Sequence, residues 1–290
     1  MPQTINTNIA SLNAQRNLNS SQSSLATSMQ RLSSGLRVNS AKDDAAGLAI
    51  AERMNAQARG MSVAMRNAND GISLSQTAEG ALGKVADSLQ RMRELAIQAR
   101  NATNASSDKD SLDKEFGELA KEMQRVLGGT TFNGKYILGA DADLPQTFQV
   151  GPNTSANDEI SVTTPNLTNE ATITAVAGTD INGAGRAVID ATADPTAIAG
   201  VVANIDAALN KVNSERATLG ATQNRFDAVI SNLQVAYENQ MAARSRIMDA
   251  DFASETSNLS RAQILQQAGN AMVAQANQLP QQVLSLLRGG

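Results

Sequence analysis

The sequence predicts a mainly α protein in which both chain ends form long antiparallel coiled-coil helices, with a short β-hairpin and loop-rich region inserted in the middle. On both flanks, apolar residues recur at spacings of three and four, which is typical of helices that pack along narrow interfaces. Four of the six prolines lie between residues 145 and 195, where they disfavour helix. Five Phe, two Tyr and no Trp leave the core to aliphatic side chains.

The two chain ends carry apolar stripes that predict helices able to pair with each other. Sustained spacing of three and four over several heptads indicates coiled-coil packing. Amphipathic helices in an ordinary bundle give the same spacing, so periodicity alone leaves that alternative open. The stripe residues are Ile5, Ile9, Leu12, Leu25 and Leu32 near the start, and Leu265, Met272, Leu279, Val283 and Leu286 near the end.

The first helical region is interrupted at residues 31–47, which read RLSSGLRVNSAKDDAAG. Gly35 is suited to a helix end, because glycine adopts the left-handed conformation common at that position. Ser40 or Asp43 can cap the helix that follows. The stretch therefore predicts a linker between two helices, and an ordinary interhelix turn is the simpler alternative.

The middle of the chain predicts short strands. Asn133-Gly134 indicates a tight hairpin within residues 130–139, and residues 147–151 are expected to pair with it. Residues 159–164 and 171–176 alternate or branch like strands. From Gly178 to Gly200 the small, polar composition predicts a loop with at most one short helix near Pro195.

Composition argues against an enzyme. There is no Cys and no His, which excludes thiolate nucleophiles, disulfides, Ser-His-Asp triads and zinc sites built on those ligands. No clustering of carboxylates or lysines suggests other catalysis. We therefore expect no cofactor, no metal and no catalytic residue.

Charge and hydropathy limit the kinds of partner and the cellular location that we expect for the protein. A net charge of −4 and few aromatic residues argue against a nucleic-acid partner. No run of 18 apolar residues occurs, so no membrane insertion is expected. The first residues lack a basic region followed by an apolar one, so export through a cleaved signal peptide is not expected.

Several stretches resemble bacterial flagellin, in the same order and on both flanks. Residues 5–18, 31–54, 66–82, 89–99, 130–138 and 274–287 carry the resemblance, with INTNIASLNAQRNL, RLSSGLRVNSAKDDAAGLAIAERM and AQANQLPQQVLSLL among them. The resemblance implies a structural subunit that polymerises into the helical flagellar filament used for swimming.

The resemblance also implies a layered organisation. Residues 1–40 and 256–290 would form an inner-core coiled-coil domain, and the stripe residues would lie at the filament core. Residues 46–138 and 203–252 would form an outer-core helical domain. Residues 41–45 and 253–255 would be linkers, and 139–202 a surface-exposed variable region. The inter-domain linker residues are Gly35, Asn39, Ser40 and Asp43.

The partners implied by the resemblance are further copies of the chain, in a helical homopolymer, and the flagellar machinery. That machinery comprises the type III export apparatus with an export chaperone, the filament cap and the hook-associated proteins. The host Toll-like receptor that senses flagellin would contact Arg91, Leu95 and Glu115. The implied location is extracellular, in the filament.

Two alternatives stay open. A hook-filament junction protein shares a region like residues 31–44, although it usually diverges in the C-terminal segment. A monomeric or closed coiled-coil protein, such as a tail-fibre or translocator component, fits the periodicity but not the flank motifs.

Overall fold

The computed structural model describes the backbone of residues 7–288 and the side chains of residues 7–278. The mainly α architecture with short strands in the middle of the chain is confirmed. The helices are α1 (Ile9–Ser34), α2 (Ala45–Ala99), α3 (Ser106–Gly129), α4 (Ala171–Ala177), α5 (Pro195–Met248) and α6 (Phe252–Arg288). The strands are β1 (Thr131–Phe132), β2 (Lys135–Tyr136), β3 (Gln146–Gln149) and β4 (Glu159–Val162), with a 3₁₀ turn at Ala156–Asp158.

The chain divides into two compact units. The terminal unit contains the described parts of Met1–Ala56 and Glu238–Gly290, and the central unit contains Gln57–Tyr237. Parts of α2 and α5 belong to each unit. In the terminal unit, α1 and α6 pack along each other in antiparallel orientation, as the sequence predicts for the two chain ends.

The central unit has a closed hydrophobic core built from α2, α3, α5 and the middle segment, which is the stretch 130–194 between α3 and α5. Along α5, apolar side chains at intervals of seven residues point into this core, so the predicted heptad spacing here is a buried face. The largest fully buried side chains include Phe116, Phe226, Leu74, Leu82, Leu89, Met92, Met123 and Leu127.

A close approach inside this core requires a glycine. A Cβ built on Gly71 of α2 would lie 2.5 Å from the ring of Phe226, so a larger residue does not fit without displacing the ring. On its other side, Phe226 meets Phe148 edge to face, with ring centroids 5.6 Å apart. The ring of Phe226 thus joins α2, α5 and β3.

The predicted hairpin is confirmed, and the other strand pairings are partly different. β1 and β2 pair through Asn133 (φ 48°) and Gly134 (φ 80°), a turn in which both residues adopt positive φ. β3 pairs with β4, with Phe148 opposite Ile160, rather than with the first hairpin. β2 ends at Tyr136, and the side chains of Ile137 and Leu138, which follow it, are fully buried in the core.

Two sequence predictions for the middle segment were wrong. Residues 171–176 form part of α4 rather than a strand, because Ile173, Val176 and Ala177 lie on one helical face that packs into the core. The helix near Pro195 is not short: Pro195 is the first residue of α5, where its missing N–H costs no intrahelical bond.

The middle segment completes the central core and is anchored to α3. The side chains of Leu167, Ile173 and Ile189 are fully buried. Arg186 donates two hydrogen bonds to the carboxylate of Asp113, at 2.9 and 2.5 Å. The backbone N–H of Ile189 donates to the same carboxylate at 2.9 Å. The hydrogen bonds to Asp113 raise the pKa of Arg186.

Candidate assembly surface

The interface between α1 and α6 is lined mainly by small and polar side chains. Ser11 and Ser28 are the buried residues of α1, and Ala262 and Ala276 are buried on α6. Between these positions, Leu18 packs on Gly269, where an added Cβ would lie 3.2 Å from the leucine side chain. Small residues at heptad spacing allow the two helices to approach closely, but they bury little apolar surface.

Polar contacts fix the register of the pair at both ends. Near the start of α1, Asn8 donates to the carbonyl of Ala276 at 2.7 Å, and the Ser11 hydroxyl donates to Asn277 at 2.7 Å. Near its end, Arg31 lies 3.8 Å from the buried carboxylate of Glu255. A shift by one helical turn would break both sets of contacts at once.

Large apolar side chains of the same two helices face away from their interface. We call this set the exposed apolar surface. On α1 it includes Ile9 (67% exposed), Leu12 (51%) and Met29 (57%). On α6 it includes Ile264 (66%), Leu265 (51%) and Met272 (61%). Large apolar side chains that are this exposed on one helix pair make its outer side a candidate contact surface for a protein partner.

The groove between the helices contains an unsatisfied donor. A cavity of about 450 Å³ is lined by Ser24, Ser28, Arg31, Arg261 and Leu265, among other residues. The Nε of Arg31 is buried there and has no hydrogen-bond partner. A buried N–H without an acceptor is destabilising, so this donor lowers the stability of the helix pair.

The stripe residues predicted from the sequence separate into two groups. Leu25 and Leu32 are half-buried, while Ile9, Leu12, Leu265 and Met272 belong to the exposed apolar surface. Ile5 lies outside the described residues. The side chains of Leu279, Val283 and Leu286 also lie outside them, although α6 continues through these positions.

Sequence reasoning included Ala276, Leu25 and Leu32 in its apolar stripes, but it missed Ala262 and Gly269 and the separate interface stripe to which they belong. Ala262, Gly269 and Ala276 are spaced by seven and alternate with the apolar stripe at Leu265 and Met272. That second heptad phase is visible in the sequence, but its small residues carry a weaker signal than leucine and methionine. Ser11, Ser28 and Glu255 gave no signal, because isolated polar residues on a helix are usually exposed.

The predicted linker residues lie in one hydrogen-bonded loop of the terminal unit. Gly35 has φ 72° and ends α1, and its N–H donates to the Arg31 carbonyl at 2.8 Å. The carboxylate of Asp43 accepts from the N–H groups of Asn39 (3.1 Å) and Ser40 (2.9 Å) and from the Ser40 hydroxyl (3.0 Å). The hydrogen bonds from Ser40 lower the pKa of Asp43.

The helix cap differs from the prediction. Neither Ser40 nor Asp43 caps α2. Asp44 caps α2 instead. Its side chain accepts a hydrogen bond at 2.8 Å from the N–H of Gly47, three residues further along in the first turn of the helix. Asp43 stabilises the loop before the helix, and the side chain of Asn39 donates to the Ser34 hydroxyl at 2.7 Å.

The interruption after α1 lies directly against the one between α5 and α6. The N–H of Arg37 donates to the Met248 carbonyl at 2.6 Å, and the Arg37 guanidinium donates twice to the Ile247 carbonyl, at 2.8 and 3.2 Å. In return, the Ala250 N–H donates to the Gly35 carbonyl at 2.9 Å. The two interruptions therefore form one element, which the sequence did not reveal because their partners are some 210 residues apart.

The predicted receptor contacts lie on α2 and α3 of the central unit. Arg91 donates to Glu115 at 2.8 Å and to Glu94 at 2.9 Å, and all three side chains are about half exposed. Hydrogen bonds to Glu94 and Glu115 raise the pKa of Arg91. Leu95 is fully buried in the core, so in this conformation it offers no surface to a partner.

The described residues offer little to a metal or to a membrane. Within them, no cluster of three or more acidic side chains is placed to hold a metal ion. No helix in the described part of the chain is long and apolar enough to cross a membrane.

These features define a helical protein whose first and last described helices pair with each other and carry large exposed apolar side chains. Residues 5–142 match the family model described as the bacterial flagellin N-terminal helical region. Residues 202–287 match the bacterial flagellin C-terminal helical region.

Whole-chain relatives agree with the family models. A flagellin of Halalkalibacterium halodurans is 46% identical over 98% of this chain and 99% of its own length. Flagellins of Serratia marcescens and Bacillus subtilis are each 43% identical, over 99% and 98% of this chain and 100% and 99% of their own lengths. The chain belongs to the bacterial flagellin family.

Membership establishes the function at the level of the assembly. The chain is a structural subunit that polymerises with further copies of itself into the bacterial flagellar filament, which serves motility. The hook-filament junction alternative has less support, because the relatives named flagellin align along nearly the whole chain.

Proposed function

We propose that the exposed apolar surface of α1 and α6 is the surface through which neighbouring subunits contact each other in the filament. The observation that carries the proposal is the outward orientation of Ile9, Leu12, Leu265 and Met272 on a helix pair that uses small residues for its own interface. In a filament, each copy would cover this surface on the next copy. A contact that joins different patches and does not close on itself generates a helical polymer.

The groove beside the exposed apolar surface supports the same assignment. Arg31 lines the open cavity along the helix pair, and its side chain is 31% exposed. A carboxylate from a neighbouring copy that entered this cavity would pair with the guanidinium. Assembly would then combine apolar burial with an added ion pair.

The experiment that tests the proposal is polymerisation of Leu265→Asp. A buried, unpaired carboxylate in the subunit contact is expected to cost several kcal/mol, on the order of 2–4, and to abolish seeded filament growth. The folded monomer should be unaffected, because Leu265 is exposed in it. Gln267→Asp is the matched control: it places the same charge two residues away, on another face of α6.

Electron microscopy and sedimentation report the outcome. The proposal requires filaments from Gln267→Asp and none from Leu265→Asp, with equal circular dichroism for the two monomers. Filaments of normal yield from Leu265→Asp would place the subunit contact elsewhere.

The layered organisation belongs to the same proposal. Residues 1–40 and 256–290 would form the inner core, 46–138 and 203–252 the outer core, and 139–202 the outer region. The linkers at 41–45 and 253–255 would pass between the two layers. The antiparallel pairing of α1 with α6 supports the inner-core assignment, because it joins the two chain ends.

The location and the remaining partners follow from filament assembly. The subunit would act outside the cell, exported by the flagellar export apparatus with its chaperone. It would meet the filament cap and hook-associated proteins at the two ends of the filament. Its role would be structural, without catalysis.

A further partner is the host Toll-like receptor that senses flagellin. The charged group of Arg91, Glu94 and Glu115 would supply the direct contacts, since these side chains are half exposed on adjacent helices. Leu95 would act from the core side by holding α2 in position, because its side chain is fully buried.

A further inference from the structure

Among the nine methionines whose side chains the structure describes, two differ from the rest in their exposure. Met29 on α1 is 57% exposed and Met272 on α6 is 61% exposed, and both belong to the exposed apolar surface. By contrast, Met92, Met123 and Met248 are buried, with exposures of 0%, 1% and 5%. The half-buried methionines form an intermediate group, Met54, Met61, Met65 and Met241.

Thioether sulfur is the natural target of mild oxidants in this chain. The sequence contains no Cys, no His and no Trp, the side chains that otherwise compete for such oxidants. Hydrogen peroxide transfers one oxygen atom to the methionine sulfur: the O–O bond breaks, the sulfur loses two electrons to give a sulfoxide, and water is released. Accessible sulfurs react first, so exposure orders the methionines.

We infer that Met29 and Met272 are reversible oxidation sites through which peroxide prevents free subunits from joining the filament. This inference rests on the proposed function, because it requires the exposed apolar surface to be covered in the filament. A sulfoxide turns a flexible apolar side chain into a polar one. At these two positions it would place an S=O dipole, without a partner, inside the subunit contact.

The position of Met272 makes the consequence local. Met272 follows Leu265 by one heptad on the same face of α6. Neither methionine is buried between α1 and α6 or in the central core. Oxidation at these sites therefore leaves the monomer fold intact and acts on assembly alone. Sulfoxide reductases restore the thioether, so the block is reversible.

The first test maps oxidation of the monomeric full-length chain by hydrogen peroxide, using peptide mass spectrometry at successive times. Met29 and Met272 should oxidise at least about 10-fold faster than Met92, Met123 and Met248, because reaction follows access to the sulfur. Equal rates across these five methionines would overturn the inference. This readout does not depend on polymerisation.

The second test measures incorporation. Partly oxidised subunits are grown on filament seeds, and sulfoxide is quantified at each methionine in the filaments and in the unincorporated fraction. Sulfoxide at Met29 and Met272 should be enriched several-fold, about 5-fold or more, in the unincorporated fraction. Sulfoxide at Met61 or Met241 should be distributed evenly. An even distribution at Met29 and Met272 would overturn the inference.

A variant without the two methionines, and enzymatic reduction of the oxidised parent chain, test whether these two residues cause the loss of polymerisation. The Met29→Leu/Met272→Leu chain keeps an apolar surface that cannot be oxidised, and it should polymerise after a peroxide dose that stops the parent chain. Methionine sulfoxide reductase should restore growth of the oxidised parent. Loss of growth in the double variant after the same dose would refute the role of these two residues. Failure of the proposed function is detected separately by Leu265→Asp, which involves no oxidant.

Discussion

The terminal and central units use apolar residues in opposite ways. In the central unit, Phe226, Leu82 and Met92 are fully buried, and the middle segment covers the remaining side of the core. In the terminal unit, the most deeply buried positions of the intrachain interface are Ser and Ala, with Leu18, Leu25 and Leu32 half-buried beside them, while Leu265 and Met272 are exposed. The central unit is complete within one chain. Under the proposed function, the terminal unit would be completed by other copies, so that one sequence would provide both a folded subunit and a polymer.

The largest effect on the free energy of unfolding is expected for Phe226→Ala in the central unit. Truncating this ring removes its contacts with Phe148 and leaves a cavity over Gly71, at a cost of about 3–5 kcal/mol. Denaturant unfolding of the monomer measures the change. Met272→Ala, in the terminal unit, should shift the same transition by less than about 0.5 kcal/mol. Equal shifts for the two variants would contradict the contrast between the units.

A smaller loss in the free energy of unfolding is expected for Arg186→Ala. This substitution leaves the Asp113 carboxylate without its charged partner. Because the two side chains are 21% and 12% exposed, the cost should be on the order of 2–3 kcal/mol, below that of a fully buried pair. Thermal unfolding of the monomer tests it. Arg125→Ala removes an exposed pair with Glu122 on the same helix and should leave the melting temperature unchanged.

Gly35→Val tests the junction in the terminal unit. A β-branched residue at φ 72° is strained by about 1–3 kcal/mol. The strained residue would lie in the loop whose Gly35 carbonyl accepts a hydrogen bond from the Ala250 N–H. Filament curvature by electron microscopy and filament melting should change more than monomer melting does. Gly35→Asn is the matched control, because asparagine tolerates positive φ. Unchanged filaments from Gly35→Val would make the loop an ordinary interhelix turn.

The smallest effect is expected for Asp43→Asn and appears as a change in pH dependence. The folded-state pKa of Asp43 is lowered, so its carboxylate stabilises the linker above the unfolded-state pKa, and this stability is lost as the pH falls through the lowered folded-state pKa. Below about pH 4, Asp43→Asn should therefore lose less stability than the parent chain. Unfolding midpoints of the variant and the parent chain, measured from about pH 6 to about pH 2, give the difference in stability. Parallel curves would exclude a role for Asp43 in acid sensitivity.

The linker shows how far local sequence rules reach. Gly35 was correctly predicted to end α1, because a left-handed residue there depends only on local backbone sterics. The choice among neighbouring capping residues was wrong: Asp44 caps α2, and Asp43 holds the preceding turn. Ser40, Asp43 and Asp44 all have side chains able to cap a helix. Their roles were decided by the path of the loop, including the Arg37 contacts with Ile247 and Met248.

The middle segment contains one element that local sequence rules predicted correctly and one that they predicted wrongly. The Asn133-Gly134 turn was predictable because both residues are suited to positive φ. Residues 171–176 were expected to form a strand from their branched side chains, but they form α4, since a helix buries Ile173 and Val176 together. Propensity gave way to burial against α3 and the core.

The sequence alone determined the helical flanks, the break at Gly35, the tight hairpin and the flagellin motifs, because each depends on residues close together in the chain. Tertiary structure alone decided which face of each terminal helix meets the other. Two heptad stripes run along α6, one through Ala262, Gly269 and Ala276 and the other through Leu265 and Met272. Both have the same period, so periodicity cannot choose between them. The small residues form the intrachain contact because they permit close approach to α1, and this leaves Leu265 and Met272 exposed on the outer side of α6.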